Sequence, residues 1–314
     1  VFASSGAGGN RTTLRVNGLA GNPQPGMVYT TQNGYLRSID SQGRVFEFGS
    51  DGNVNADALG PMDADIDGDG KLEVPYVDGG ALKIRDMDGE VQTLVGSGAS
   101  SSSRIAVGSY RSADPEVYYS DGSNLYRVDW EGGSSTGAQL LYEQPSKNKK
   151  PIGGQSVAGV GDFDNSDGDV ELVYVDGSSD LRYLNEKGGS GQNAIKGPVV
   201  SNVVGAQATS ELAQLDADGP ADGVWRTENQ PYVRLADGVN DQDATLDGFT
   251  SSDYPKSSAS MGLYDVDGDG QVELIYAGQG GPYLRYYDLA SDSTAFVRDE
   301  NGDKVRVGVG PGVA

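Results

Sequence analysis

Carboxylates stand at alternate positions in three short segments of this chain. They read Asp65-Ile-Asp67-Gly-Asp69-Gly-Lys71-Leu-Glu73, Asp162-Phe-Asp164-Asn-Ser-Asp167-Gly-Asp169-Val-Glu171 and Asp265-Val-Asp267-Gly-Asp269-Gly-Gln271-Val-Glu273. In a tight loop such side chains converge on one point. That point suits a hard cation with oxygen ligands at about 2.3–2.6 Å, which means calcium. Packed carboxylates repel one another until an ion joins them, so the expected role of the ion is to rigidify the loop. A plain alternative is a solvated acidic surface with Asp-Gly turns. Recurrence at one phase, before one kind of strand, favours calcium at all three loops.

The loops need a scaffold that repeats with them. Each runs straight into an apolar segment: Val74-Pro75-Tyr76-Val77, Leu172-Val173-Tyr174-Val175 and Leu274-Ile275-Tyr276-Ala277. Aligned on that segment, further copies read Met27-Val28-Tyr29, Val117-Tyr118-Tyr119 and Gly223-Val224-Trp225. Turn signals such as Asp78-Gly79, Asp121-Gly122 and Asp176-Gly177 follow, the mark of a hairpin. A third strand then recurs, as in Leu36-Arg37-Ser38-Ile39-Asp40, Leu181-Arg182-Tyr183-Leu184-Asn185 and Leu284-Arg285-Tyr286-Tyr287-Asp288. It closes on Asp or Asn, as a turn requires. A weaker fourth strand follows in several copies, for example Val45–Phe48 and Val91–Leu94.

Ahead of each apolar segment lies a strand rich in small residues: Ala58–Met62, Ile105–Gly108, Val157–Gly161, Leu212–Leu215 and Met261–Tyr264. Small residues fit the crowded centre of a radial assembly. Four strands per unit of about 50 residues, with no amphipathic helix, describe β-propeller blades. The expected fold is all-β: a six-bladed β-propeller over residues 27–314, with seven blades as the alternative. The copy at Met27 has no inner strand before it in this scheme. Val305-Arg306-Val307-Gly308-Val309 resembles the missing strand, so ring closure by the C-terminal strand is expected, pairing with Met27–Thr31. Residues 1–26 are expected to be a Gly/Ser-rich tether and lead-in, with one strand-like run, Thr13–Val16.

Composition narrows the chemistry. The 314 residues contain no Cys and no His, and the formal charge is -23. Disulfides, thiol catalysis and histidine-based triads or metal sites are excluded. The acidity excludes nucleic acid as a partner, because phosphate binding needs a basic surface. No apolar run is long enough to cross a bilayer. Asp dominates the acids and Lys is scarce beside Arg, which fits a protein adapted to high salt. Asn10-Arg11-Thr12 is a glycosylation sequon and agrees with export.

The loops and strands together resemble the FG-GAP/VCBS repeats of integrin α-like β-propellers. The resemblance covers roughly residues 27–314 and is specific at the three acidic loops. It implies that loop positions 1, 3, 5 and 9 give side chains to calcium and position 7 a backbone carbonyl. The implied ligands are Asp65, Asp67, Asp69, the Lys71 carbonyl and Glu73 at the first loop. At the last they are Asp265, Asp267, Asp269, the Gln271 carbonyl and Glu273. The middle loop, with one inserted residue, keeps Asp162, Asp164, Asp167 and Glu171, and Asp169 is the candidate carbonyl donor. Two copies depart from the pattern. Asp216, Asp218 and Asp222 form a shortened loop, a weak metal site at most. Arg111 stands where a ligand carboxylate belongs, so its guanidinium is expected to pair with Glu116 in place of an ion. About three calcium ions follow from this count. A haloarchaeal source, or a virus of such a host, fits the acidic composition.

The expected function is an extracellular or cell-surface binding module, for adhesion or glycan recognition. Its partners would be a surface glycan, a protein ligand or neighbouring subunits of a filament or envelope assembly. The 17 Tyr are candidates for sugar stacking, although their repeating strand positions favour blade packing for most of them. The alternative is an enzyme, a propeller-type polysaccharide lyase or glycosidase working without His. Acids outside the loops show no constellation of that kind, and Arg37, Arg182, Arg234 and Arg285 share one repeat position. A non-enzyme is therefore expected.

Overall fold

The computed structural model describes residues 12–16, 26–30, 36–40, 44–48, 56–60, 64–99, 103–110, 114–121, 124–131, 133–142, 157–163, 170–175, 180–186, 193–201, 223–226, 233–236, 244–246, 249, 261–266, 269, 271–278, 283–299 and 301–305. Structural statements below concern these residues. They are all-β, and no helix occurs among them.

The strands form antiparallel sheets in chain order. The first sheet holds β1 (Thr12–Val16), β2 (Gly26–Thr30), β3 (Leu36–Asp40) and β4 (Val45–Glu47). The second holds β5 (Ala56–Leu59), β6 (Glu73–Asp78), β7 (Ala81–Asp86) and β8 (Val91–Val95). In the third, β9 (Ile105–Gly108), β10 (Glu116–Ser120) and β11 (Leu125–Val128) lead to β14 (Gln139–Tyr142). A two-stranded hairpin, β12 (Trp130–Glu131) and β13 (Ser134–Ser135), is inserted before β14. The fourth sheet runs β15 (Val157–Gly161), β16 (Glu171–Val175), β17 (Asp180–Glu186) and β18 (Asn193–Ser201). The fifth shows β19 (Gly223–Arg226), β20 (Val233–Ala236) and β21 (Ala244–Leu246). The last holds β22 (Met261–Tyr264), β23 (Glu273–Ala277), β24 (Leu284–Asp288) and β25 (Ser293–Phe296).

The apolar segments of the sequence are the second strands of these sheets. β6, β10 and β16 are buried almost end to end, and the second and third sheets each pack on a neighbour at both faces. Alternate side chains then serve two cores. Val74 and Tyr76 join Val28, Leu36 and Phe48 of the first sheet. Val77, Leu82 and Ile84 join Ile105, Val117 and Tyr119 of the third. Tyr118 turns the other way, onto Leu172, Tyr174 and Leu184 of the fourth. A strand covered on both faces reads as a continuous apolar run, which is what the sequence displays.

The inner strands come close enough to need small residues. A Cβ on Gly108 would lie 2.7 Å from Val160 Cβ, and one on Gly60 would lie 2.6 Å from Ile105 Cγ2. The small residues expected in the first strands of the sheets therefore have a steric cause.

The expected C-terminal closing strand is corrected. The inner partner of β2 is β1: Thr12 faces Tyr29, Thr13 faces Val28 and Leu14 faces Met27. The other edge of β2 is taken by β3, so no edge remains for a tail strand. Val305 instead stays with the last sheet. Its carbonyl accepts from Leu284 N at 2.9 Å and its N–H donates to Val297 O at 3.0 Å. The remainder of the expected closing strand lies outside the described residues. β1 lies beside β22, and Val45 of the first sheet packs on Tyr264, Ile275, Leu284, Val297 and Val305. First and last sheets thus meet through side chains.

Candidate metal centres

Each acidic loop links the first strand of a sheet to the second, and its final Glu opens the second strand. That Glu does the same work three times. Glu73 Oε2 accepts from Ile66 N at 2.6 Å, Glu171 Oε2 from Phe163 N at 2.8 Å and Glu273 Oε2 from Val266 N at 2.6 Å. The second residue of the loop is apolar in each copy. Phe163 is fully buried and Ile66 nearly so. The apolar side chain anchors the loop in the core while its backbone N–H fixes the Glu.

The first loop is described in full. One carboxylate oxygen each from Asp65, Asp67, Asp69 and Glu73 lies within 4.8 Å of the others. Short backbone bonds hold the curl: Gly68 N and Gly70 N donate to Asp65 at 2.7 and 2.8 Å, and Lys71 N donates to Asp69 at 2.9 Å. Gly68 and Gly70 take φ of 79° and 88°, where a side chain would be strained.

Glu73 tests whether this group fits a cation. It is 2% exposed, and its Oε1 is buried without a hydrogen-bond partner. Burial, with the Asp67 and Asp65 carboxylates nearby, pushes the Glu73 carboxyl up to about 8. Asp67 is raised as well, by burial and by Asp69 and Asp65. A buried orphan oxygen beside three further carboxylates is costly without a positive charge. Glu73 faces a cavity of about 10 Å³ lined also by Asp67, Asp69, Asp86, Glu90 and Gln92. That is room for one water-sized or ion-sized sphere. The donor set is all oxygen, as calcium prefers.

Residues from the outer strands brace the loop. Gln92 of β8 donates its amide to Asp67. Lys71 places its ammonium between the loop and the turn after β7, 2.7 Å from Asp86, 3.2 Å from Asp88 and 3.4 Å from Asp69 of the loop itself. Burial would raise the Asp86 carboxyl, but Lys71 and the backbone of Glu90 hold it below the usual range. Nothing in the loop motif names Gln92 or Asp86. Their signal is the strand register that brings β7 and β8 under the loop.

The other loops are described in part. Asp265, Asp269 and Glu273 each place an oxygen within 4.8 Å of the others, and Gln271 N donates to Asp269 at 2.8 Å. Asp267 lies outside the described residues. So do Asp164, Asp167 and Asp169 of the middle loop, where Asp162 and Glu171 are described. Asp216, Asp218, Asp222, Arg111 and Asn10 also lie outside them.

The third sheet has no such loop, yet its Glu116 is 1% exposed at the same strand start. Arg127 donates to it from β11 at 3.1 Å, and Tyr118 donates its hydroxyl. Arg127 also reaches Asp129 at 2.9 Å and Gln139 at 2.8 Å. The described cation at Glu116 thus comes from the third strand.

A second regularity runs through the sheets. An aromatic residue of the second strand faces a basic residue of the third: Tyr29 and Arg37, Tyr76 and Lys83, Tyr174 and Arg182, Trp225 and Arg234, Tyr276 and Arg285. The third sheet replaces the pair with Tyr119 and Tyr126, whose rings stack at 5.1 Å. The residue in the basic position usually meets an acid. Arg37 bonds Glu47 at 2.6 Å, Lys83 bonds Asp78 at 2.6 Å and Arg182 bonds Asp180 at 3.2 Å. In the third sheet the Tyr126 hydroxyl donates to Asp121 at 2.8 Å. These contacts account for the repeated arginines as sheet structure.

No protein-family profile matches the chain, and no curated protein sequence matches it. Solved structures share its fold. BP39L lectin from Burkholderia pseudomallei superposes with a TM-score of 0.55 at 13% identity, over 91% of this chain and 81% of its own. SapL1 lectin, solved with alpha methyl fucoside, gives 0.54 at 12% identity, over 98% of each chain. Virginiamycin B lyase from Staphylococcus aureus gives 0.51 at 12% identity, over 98% of this chain and 86% of its own. At such identities the likeness is one of fold, an all-β architecture of the propeller type that serves both lectins and a lyase.

Proposed function

We propose that this chain is a calcium-stabilised β-propeller that binds glycans outside the cell. The observation that carries the calcium part is the orphan Oε1 of buried Glu73 among Asp65, Asp67 and Asp69. The loops starting at Asp162 and Asp265 repeat the same Glu-to-backbone anchor, so three ions are assigned. This arrangement supports kinship with FG-GAP/VCBS repeats. The six sheets are read as six blades, closed by the packing of β1 on β22 and of Val45 on the last sheet. The glycan part is supported by the likeness to BP39L and SapL1 lectins. An extracellular, high-salt setting is supported by the charge of -23 and the sequon Asn10-Arg11-Thr12. A non-catalytic role is supported by the described acids outside the loops, since Asp86, Asp288 and Asp299 cap turns.

A glycan array at molar salt, with calcium and with chelator, tests both parts. Calcium-dependent retention of one sugar class is the expected result. An array silent in both conditions overturns the glycan part. A melting temperature that does not respond to calcium overturns the metal part.

A further inference from the structure

The cavity at Glu73 has two walls, and only one of them belongs to the acidic loop. Asp67, Asp69 and Glu73 form that wall. The other comes from the β7–β8 hairpin: Asp86 at the end of β7, Glu90 between the strands and Gln92 of β8. The carboxylates on these walls are engaged unequally. Asp67 accepts from Asp69 N at 3.1 Å and from the Gln92 amide. Asp69 accepts from Lys71 N at 2.9 Å. Asp86 gives one oxygen to the Lys71 ammonium at 2.7 Å and the other to Glu90 N at 2.8 Å. Two groups remain. One is Oε1 of Glu73, buried without a partner. The other is the Glu90 carboxylate, which makes no hydrogen bond or ion pair among the described residues.

Glu90 is exposed, so water is open to its charge. It nevertheless holds an oxygen within 4.8 Å of oxygens of both Asp69 and Asp86. Asp69 stands equally close to Asp65, Asp67 and Glu73, and so belongs to both groups. Lys71 pairs with Asp69, Asp86 and Asp88 but not with Glu90. Like charges gathered in this way repel, and a cation in the cavity turns the same contacts attractive. Calcium accepts about six to eight oxygens, so a further carboxylate finds a place in its shell.

The other two acidic loops have no such acid opposite them. In the second sheet Asp86 lies across from Glu90, and Ile84 across from Gln92. Counted from the Glu that opens each second strand, the matching residues are Ala194 and Lys196 in the fourth sheet. In the last sheet they are Ser293 and Ala295.

We propose that Glu90 is a ligand of the cation at the first loop, supplied by the neighbouring hairpin and absent from the loop motif. The cation then clasps the β5–β6 loop to the β7–β8 hairpin, and the first loop is the tightest of the three sites. The assignment rests on the calcium reading of the loops and adds a ligand to it.

Calorimetric titration of the full, chelator-stripped chain with calcium tests it, on wild type, Glu90→Gln and Glu73→Gln. Glu131→Gln, which alters an exposed acid of the β12–β13 hairpin, controls for net charge. Glu90→Gln is expected to weaken the tightest site by about tenfold or more and to spare the others. Glu131→Gln is expected to change none. Melting gives a readout of opposite signs. In chelator Glu90→Gln should melt at or above wild type, because a repelling charge has gone, yet its rise on adding calcium should be smaller. A tightest site that Glu73→Gln weakens and Glu90→Gln does not overturns the proposal and leaves the calcium reading standing. Equal weakening by Glu90→Gln and Glu131→Gln overturns it as an effect of bulk charge. A lower melting temperature of Glu90→Gln in chelator overturns it by making Glu90 a structural residue. Absence of calcium binding by wild type removes the calcium reading and this ligand together.

Discussion

Glu73 bonds the backbone N–H of Ile66 with one carboxylate oxygen at 2.6 Å and keeps the other buried without a protein partner. The two oxygens divide the labour. One fixes the loop to the start of β6, and the other is left for a cation. Because Ile66 is itself in the core, the charge state of Glu73 is tied directly to the packing between the second and third sheets.

Glu73→Gln should separate the two roles. The amide oxygen can still accept from Ile66, but the charge is gone. A site saturated at 100 times its Kd contributes about 2.7 kcal/mol to folding by mass action. Urea unfolding with calcium and with chelator should show that increment reduced by about this amount in the variant. An undiminished calcium increment would remove the first loop from the assignment.

The same residue sets a pH dependence in the metal-free protein. Its folded value, about 8, stands above the ordinary 4.5 of a glutamate. Between those values the folded state holds more protons than the unfolded state, so stability falls as pH rises. Melting temperatures in chelator should therefore decline from pH 4.5 towards 8. Calcium favours the ionised form and should flatten the decline, as should Glu73→Gln. A decline of equal slope in wild type and variant would refute this account.

Arg127→Ala should be destabilising in a way calcium cannot repair. It removes the Arg127 guanidinium from Glu116, which is 1% exposed. Breaking a buried pair from one side typically costs about 3 kcal/mol or more. Adding Glu116→Gln to Arg127→Ala should recover part of the loss, since the buried negative charge then disappears. Rescue of the single variant by calcium would mean that the third sheet holds a metal site after all.

The sequence displayed this architecture most clearly where a segment has a single physical solution. Leu172–Val175 and Leu274–Tyr276 are apolar runs because they are covered on both faces, and β9, β15 and β22 fall where small residues were read. The acidic loops were legible because their spacing is itself the geometry. The sequence points to the tail from Val305 for one edge of β2, and Thr12–Val16 takes it instead, because propensity does not rank two short strand-like runs for one edge. Arg127 at Glu116 and Gln92 at Asp67 depended on cross-strand register, which a local motif does not carry. The same holds for Glu90, which meets Asp69 only after the β7–β8 hairpin has formed.

The completion of the first sheet by β1 bears on how the chain is made. Every described sheet takes its strands in chain order, with one hairpin inserted in the third, and none borrows a strand from the far end. Hydrogen bonding is therefore local in sequence, the condition for rapid formation of each sheet. During synthesis a sheet can pair fully as soon as its own strands have emerged, and only the seam between first and last sheets awaits the final one. Assembly becomes vectorial, with the first and last sheets joined by side-chain contact rather than by a late-arriving strand.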